Sequence, residues 1–251
     1  TVGLPPHITA ETGMDALTHA VEAYTCREAT PYTDALAIEA IRLVGRSLRR
    51  AVADGCDMQA RTDMCWAEYM AGLAFSNAGL GLGHSIAHQL GAQYHIPHGA
   101  ACAQILPRVM EYNIPACLER MGDIASALGA DIRGLSAQEA AQAAADCVRD
   151  LSEDIGIRPL HSYGFSMDDI PLLARHAMED TCTPSNPVDA VEGEVARIIA
   201  KTYCEGLVVE AVRQQGFGAG MGLPNMKKNA DTLEIDTVVG VGTTVTAVVR
   251  L

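Results

Sequence analysis

The sequence predicts a mainly α-helical bundle followed by a small α/β tail. Apolar residues recur at helical spacing from about residue 9 to 204, and capping or helix-breaking residues separate the segments. After Cys204 the sequence becomes glycine-rich and then β-branched. We therefore divide the 251 residues into a helical domain, 1–204, and a small strand-containing tail, 205–251.

The helices of the first domain are predicted from their caps and breaks. Thr9 begins the first, which runs through Tyr24, and Thr30 with Pro31 opens the second, whose apolar spacing lasts until Gly55. The others are expected at about 58–76, at 84 to the break near Pro97, at 100–113, from the capping box of Ser136 and Glu139 to Gly156, from Ser166 to about Met178, and at 188–204. The glycines of "NAGLGLG" (77–83) end the third helix.

The tail differs from the helical domain in its residue composition. Glycine recurs at 216, 218, 220 and 222, and a short helix and two β-branched runs, "TLEIDTV" and "TTVTAVV", are predicted after it. About fifty residues are too few to bury much core. We expect the tail to dock on the helical part or to be a remnant.

Composition narrows the class of protein. Hydrophobic residues make up 49% of the chain against 20% charged, which predicts a globular fold, and no run of eighteen apolar residues indicates a membrane span. The net charge of −13 argues against binding to nucleic acid. The eight cysteines are scattered without a CxxC pair, and no signal peptide is found, which predicts a cytoplasmic protein. Because the chain starts at Thr1 and not at Met, an additional N-terminal part is an open alternative.

Two segments concentrate metal-binding side chains. "GMDALTHAVEAY" (13–24) places Asp15 and His19 four residues apart, on one face of a helix. "GHSIAHQLGAQYHIPHG" (83–99) repeats this spacing with His84 and His88, and a proline break precedes His98. One carboxylate with imidazoles suits iron, zinc or nickel, and the lack of cysteine in the cluster favours an open, catalytic site. The alternative is that ordinary core or surface histidines lie together here by chance. We interpret the histidines elsewhere in the chain as ordinary residues of this kind.

Several segments closely resemble the C-terminal, dehydroquinate synthase-like helical domain of the iron-containing (group III) alcohol dehydrogenases. They are the two segments above together with "AGLAFSNAGLGLGHSIAHQLG", "YHIPHGAACAQILPRVMEYN" and "MEDTCTPSNPVDA". The resemblance extends from about Thr1 to Cys204. It implies an oxidoreductase that interconverts a small primary alcohol or diol and its aldehyde by hydride transfer with NAD(P).

The resemblance also implies roles for single residues. The metal, usually iron and sometimes zinc, would be held by Asp15, His19, His84 and His98. His88 would relay the alcohol proton, and neither role is expected for His95. Phe75 and Cys182 match positions near the substrate, although both residue types are equally typical of plain core.

The chain also departs from the family. No GxGxxG and no α/β dinucleotide domain are present, so no residue is assigned to NAD(P), and activity of this chain alone is left open. The tail resembles the end of a GHKL-type anti-sigma-factor kinase domain, without its upstream asparagine helix and adenine loop. A regulatory protein that binds ATP through the tail and an inactive truncation therefore stay as alternatives. The expected partner is the small substrate, and a homo-oligomer is compatible with the sequence.

Overall fold

A computed structural model describes residues 1–214 together with two strands at 232–238 and 242–248. Its first 214 residues contain eight α-helices. They are α1 (Pro6–Thr25), α2 (Pro31–Ala53), α3 (Met58–Ala78), α4 (Leu82–Tyr94), α5 (His98–Ala127), α6 (Ala137–Asp154), α7 (Ile170–Glu179) and α8 (Glu192–Gln214). The mainly helical fold class is thereby confirmed.

The helices pack around two apolar cores. Helices α1, α2, α3 and α6 close over the first, which includes the fully buried Met14, Leu17 and Ile41. Helices α4, α7 and α8 close over the second, around Leu90 and Leu173. The 30-residue α5 contributes to both cores, its first half mainly to the second and its last half to the first. The N-terminal ends of α4 and α5 therefore meet α1 where the two cores adjoin.

Capping residues set the helix starts as the sequence predicts. At α2 and α6, Thr30 and Ser136 form reciprocal capping boxes with Thr33 and Glu139, which satisfy backbone N–H groups that have no partner inside the helix. The predicted stop of α3 at the glycine-rich segment is confirmed as well, because Gly79 adopts φ 103° at its C-cap. The start of α1 is different, since the helix begins at Pro6 and not at Thr9.

The predicted end of α5 at residue 113 is wrong. The helix continues to Ala127 through Pro115, and the backbone leaves helical geometry only at Cys117, with φ −142° and ψ 39°. Proline lacks the N–H that an interior helix position donates and collides with the preceding turn. A kink two residues later, at Cys117, accommodates this, and the helical stretch after the kink packs in the first core.

The last described elements extend past the predicted domain boundary. Helix α8 begins at Glu192 instead of 188 and continues through Cys204 to Gln214. The strands β1 (Thr232–Val238) and β2 (Gly242–Val248) pair antiparallel, with Ile235 opposite Val245. The division of the chain at 204 stays a prediction. The predicted short helix and the glycines at 216, 218, 220 and 222 lie outside the described residues. Among the helices described, none has both the length and the hydropathy needed to cross a membrane.

A glycine inside α3 gives a first test of the packing. A Cβ built on Gly72 would meet no atom within 4 Å, so alanine fits there without strain. Because glycine in a helix interior costs roughly 0.5–1 kcal/mol relative to alanine, we expect Gly72→Ala to raise the free energy of unfolding by about that amount. Chemical denaturation of both proteins measures the difference. A less stable variant would show that this face of α3 is more crowded than described.

Candidate metal centre

Three helices bring the four predicted ligands together. Helix α1 carries Asp15 and His19 one turn apart, α4 carries His84 in its first turn, and α5 begins at His98. The irregular segment between α4 and α5 turns the chain so that the two helix starts lie on the same side of α1. Residues that are 83 positions apart in sequence, Asp15 and His98, are therefore neighbours in the fold.

One oxygen atom is the centre of the cluster. Asp15 Oδ1 lies 3.3 Å from Nε2 of His98, 3.6 Å from Nε2 of His84 and 3.8 Å from Nε2 of His19. Ligands about 2.1 Å from a cation at tetrahedral angles are separated by about 3.4 Å. The distances to His98 and His84 match the donor spacing of a mononuclear metal site, whereas His19 lies farther out and is not among the donor atoms that are all within 4.8 Å of one another.

Polar atoms at this point lack partners. Asp15 Oδ1, His84 Nε2 and His19 Nδ1 are buried and make no hydrogen bond within the part of the chain that the structure describes. A buried polar atom without a partner costs about 1–3 kcal/mol. A cation among the donor atoms that surround Asp15 Oδ1 would provide the missing partner for two of these atoms, Asp15 Oδ1 and His84 Nε2. The residues present therefore fit a metal ion.

The cluster is closed at one end and open at the other. The His84 side chain is 1% exposed, His19 13%, Asp15 24% and His98 41%. An ion held here would be shielded on the side of His84 and reachable from the side of His98. This arrangement leaves room for a small molecule beside the ligands, as an open catalytic site requires.

The charged side chains of the cluster shift one another's pKa values. Burial alone would raise the pKa of Asp15, but the adjacent His84 and His98 lower it well below its usual range. Burial lowers the pKa of His19 to about 4, which keeps this imidazole neutral. For His84 burial acts in the same direction, but the charges of Glu22 and Asp15 overcome it and raise the pKa to about 9. The site thus concentrates negative charge around its innermost imidazole.

Glu22 is a site residue that was not predicted from the sequence. This carboxylate is 4% exposed and lies 2.6 Å from His84 Nδ1, on the side of the ring away from Asp15. A spacing signal was available, because residues 15, 19 and 22 lie along one face of α1 and a glutamate is unusual on a buried face.

His88 lies beside the cluster on the next turn of α4. Its ring stacks on that of His98, with centroids 5.5 Å apart, and its Nδ1 is 2.9 Å from Asp180 Oδ2. Asp180 also accepts a hydrogen bond from the backbone N–H of Cys182. Burial raises the pKa of Asp180, but the hydrogen bonds from Cys182 and His88 outweigh it, so this carboxylate titrates below its usual range. No sequence spacing indicated Asp180, because it is 92 positions from His88 in the sequence and only the fold brings the two side chains together.

Buried amides fix the segment that carries Asp180. The side chains of Asn113 and Asn186 exchange two hydrogen bonds of 2.9 and 2.8 Å. Asn186 also accepts a hydrogen bond from the backbone N–H of Leu82 at the start of α4. The segment after α7 is thereby tied to both α4 and α5.

The remaining candidates border the same space. The ring of Phe75 stacks on His19 at 4.5 Å between centroids. Cys182 lies near His88 and Asp180, and burial with the charge of Asp180 raises the pKa of its thiol to about 12. His95 lies apart, as the left-handed C-cap of α4 with φ 53°.

The expectation that cysteine is absent from the cluster is wrong. Cys102, one turn after His98, is buried with its Sγ 3.6 Å from His98 Nε2, and it forms with Asp15, His84 and His98 a set of donor atoms within 4.8 Å of one another. The i, i+4 spacing from His98 was the signal for this contact. Burial raises the pKa of the thiol well above its usual value, so it lies against His98 in its neutral form.

Comparison with known proteins places this site in context. Residues 9–203 match the model of the Fe-containing alcohol dehydrogenase family, C-terminal. The 1,3-propanediol dehydrogenase of Klebsiella pneumoniae is 48% identical over 203 residues, which cover 80% of this chain and 52% of that enzyme. The crystal structure of a 1,3-propanediol oxidoreductase superposes with a TM-score of 0.80 at 48% identity, covering 80% of this chain and 53% of that one.

A more distant structure contains a dinucleotide. The sulfoacetaldehyde reductase of Bifidobacterium kashiwanohense, in complex with NAD⁺, superposes with a TM-score of 0.72 at 30% identity over 81% of this chain and 52% of its own. The chain spans about half the length of these relatives.

Proposed function

The chain belongs to the iron-containing alcohol dehydrogenase family, and from this premise we propose that it is the metal-binding part of an enzyme that interconverts a small primary alcohol or diol and its aldehyde with NAD(P). One observation carries the proposal, namely the convergence of three imidazole nitrogens on Asp15 Oδ1. The relatives support the substrate class, since the Klebsiella enzyme is a 1,3-propanediol dehydrogenase.

We propose Asp15, His19, His84 and His98 as the ligands of one divalent cation. Iron is the expected ion because of the family, and zinc accepts the same donors. When bound, the ion would act as a Lewis acid on the oxygen of the alcohol or aldehyde. The single carboxylate, Asp15, offsets part of the cation's charge, and the exposed side of His98 is where the substrate would enter.

His88 is proposed to exchange the proton of the substrate hydroxyl with solvent. Its Nδ1–H donates to Asp180, so in the neutral ring the lone pair is on Nε2, the nitrogen available to take up a proton. The negative charge of Asp180 stabilises the imidazolium that forms. The side chain of His88 is 41% exposed, which gives the proton a route to water.

Phe75 and Cys182 are proposed to border the substrate. Phe75 lies against His19 and offers an apolar surface for a short carbon chain. Cys182, with a thiol that stays protonated, borders the same space near His88. The dinucleotide would bind mainly to the part of the longer relatives that this chain does not match, with its nicotinamide reaching the cleft beside His88.

A fusion protein tests the function. The part of the Klebsiella 1,3-propanediol dehydrogenase that precedes the matched segment is joined to the N-terminus of this chain and loaded with Fe²⁺ or Zn²⁺. We expect formation of NADH from NAD⁺ and 1,3-propanediol, followed by absorbance. In this fusion His88→Ala should lower kcat by about a hundredfold, the usual contribution of a general acid–base group.

His95→Asn is the matched control in the same fusion. It replaces a histidine seven residues further along the chain, and asparagine tolerates its left-handed backbone. Wild-type turnover is expected for it. A fusion that folds and binds metal but oxidises no small alcohol would refute the proposed activity.

A further inference from the structure

We propose that Glu22 is a positioning residue that holds His84 in the orientation and tautomer needed for metal binding, and that Gly81 and Gly83 lack side chains in order to admit its carboxylate. The inference rests on the proposed metal site, in which His84 is a ligand. It adds a residue that lies outside the ligand set and outside the substrate space.

Among the described residues, the hydrogen-bond partners of the Glu22 carboxylate all lie at the beginning of α4. Oε1 accepts a hydrogen bond of 2.6 Å from the backbone N–H of Gly83, and Oε2 accepts one of 2.9 Å from that of Gly81. Oε2 also lies 2.6 Å from His84 Nδ1. The carboxylate thus receives three N–H groups, which is a full set of partners for a buried anion.

This arrangement selects one tautomer of His84. If Nδ1 carries the proton that Glu22 accepts, the lone pair of the neutral ring is on Nε2. Nε2 is the nitrogen that lies 3.6 Å from Asp15 Oδ1. A carboxylate behind a metal-binding histidine fixes the ring and increases its basicity in this way, and losing such a partner typically costs 10- to 100-fold in metal affinity.

Sterics, not backbone conformation, explain the two glycines. Neither Gly81 nor Gly83 has a positive φ, in contrast to Gly79 just before them. A Cβ on Gly83 would lie 2.7 Å from Glu22 Oε1. A Cβ on Gly81 would lie 3.1 Å from the same oxygen and 3.0 Å from Asn186 Oδ1, so the amide and the carboxylate both limit that position. Any side chain at 83 would push the carboxylate away from the turn and from His84.

Zinc titration of the purified full-length chain tests the proposal. Glutamine at position 22 keeps the shape of the side chain but turns one acceptor oxygen into an NH₂ group that must face an N–H donor. We expect Glu22→Gln to weaken Zn²⁺ binding by about 10- to 100-fold. Gly83→Ala should weaken it as well, because it displaces the same carboxylate.

Asn186→Ala is the matched control. It removes the hydrogen bond to Leu82 N–H in the same turn, together with the two hydrogen bonds to Asn113, without touching His84. It therefore loosens the start of α4 but should keep zinc affinity close to that of the wild type. Equal losses in Glu22→Gln and Asn186→Ala would reduce Glu22 to a structural role and overturn the inference. Unchanged affinity in a folded Glu22→Gln would overturn it too. A wild-type chain that binds no zinc would instead reject the metal site itself.

A measurement on the wild type covers the case in which the variants do not fold. Imidazole ¹⁵N NMR of the zinc-loaded chain should show His84 with a proton on Nδ1 and the metal on Nε2. Metal on Nδ1 would contradict a hydrogen bond from that nitrogen to Glu22.

Discussion

His84→Ala is expected to leave the purified chain without stoichiometric metal. His84 is the most deeply buried of the four proposed ligands, and its Nε2 has no partner within the described part of the protein. Alanine removes this donor and exposes the carboxylate of Asp15 to the vacated space. We expect the loss of affinity to exceed the roughly 10- to 100-fold typical of a change outside the ligand set. Metal analysis after dialysis measures it.

Two further variants test whether His19 or Cys102 is the fourth ligand of the metal. His19→Ala should lose the metal, whereas Cys102→Ser should retain it, since serine is close to cysteine in shape and replaces only the sulfur beside His98 with a hydroxyl oxygen. His95→Asn serves as the histidine control and should bind metal like the wild type. The opposite result, retention in His19→Ala and loss in Cys102→Ser, would replace His19 by Cys102 in the site.

Gly99→Ala is expected to separate α1 from α5. A Cβ at Gly99 would lie 2.0 Å from the backbone oxygen of Glu11 and 2.5 Å from its carbonyl carbon, so no rotation of a side chain relieves the overlap. The helices must move apart, and Asp15 moves away from His98 with them. We expect a loss of about 3 kcal/mol in the free energy of unfolding, at the upper end for overpacking, together with weaker metal binding. Denaturation and zinc titration of the same preparation measure both.

Gly91→Ala is the control for this change. It also adds a methyl group to a helix next to the cluster, but the nearest atom, Ile96 O, is 3.6 Å from the new Cβ, an ordinary contact. Stability and zinc affinity should stay near those of the wild type. Wild-type behaviour of Gly99→Ala would mean that α1 and α5 do not approach as closely as described.

Local patterns predicted most of the helices and two residue pairs of the cluster. The spacing of Asp15 and His19, and that of His84 and His88, is a property of a single helix, and the capping residues Thr30 and Ser136 act on their own first turns. The continuation of α5 past Pro115 was not predictable in this way. Whether a helix ends or kinks at proline depends on how the residues after the proline pack, here against the first core.

The partners behind the ligands were missed for a related reason. Asp180 and Asn186 come from a segment with little regular structure, and only the packed fold brings them to His88 and to Leu82. Glu22 is different, since its position on the ligand face of α1 was readable. The sequence alone does not show that the backbone N–H groups of Gly81 and Gly83 donate hydrogen bonds to its carboxylate.

The increase in exposure from His84 to His98 has a kinetic consequence. In the proposed metal site, a competing ligand from solution would reach the cluster from the side of His98, which is 41% exposed, and not from the side of His84, which is 1% exposed. The rate at which a chelator removes the ion would therefore depend on whether the His98 side of the cluster is covered.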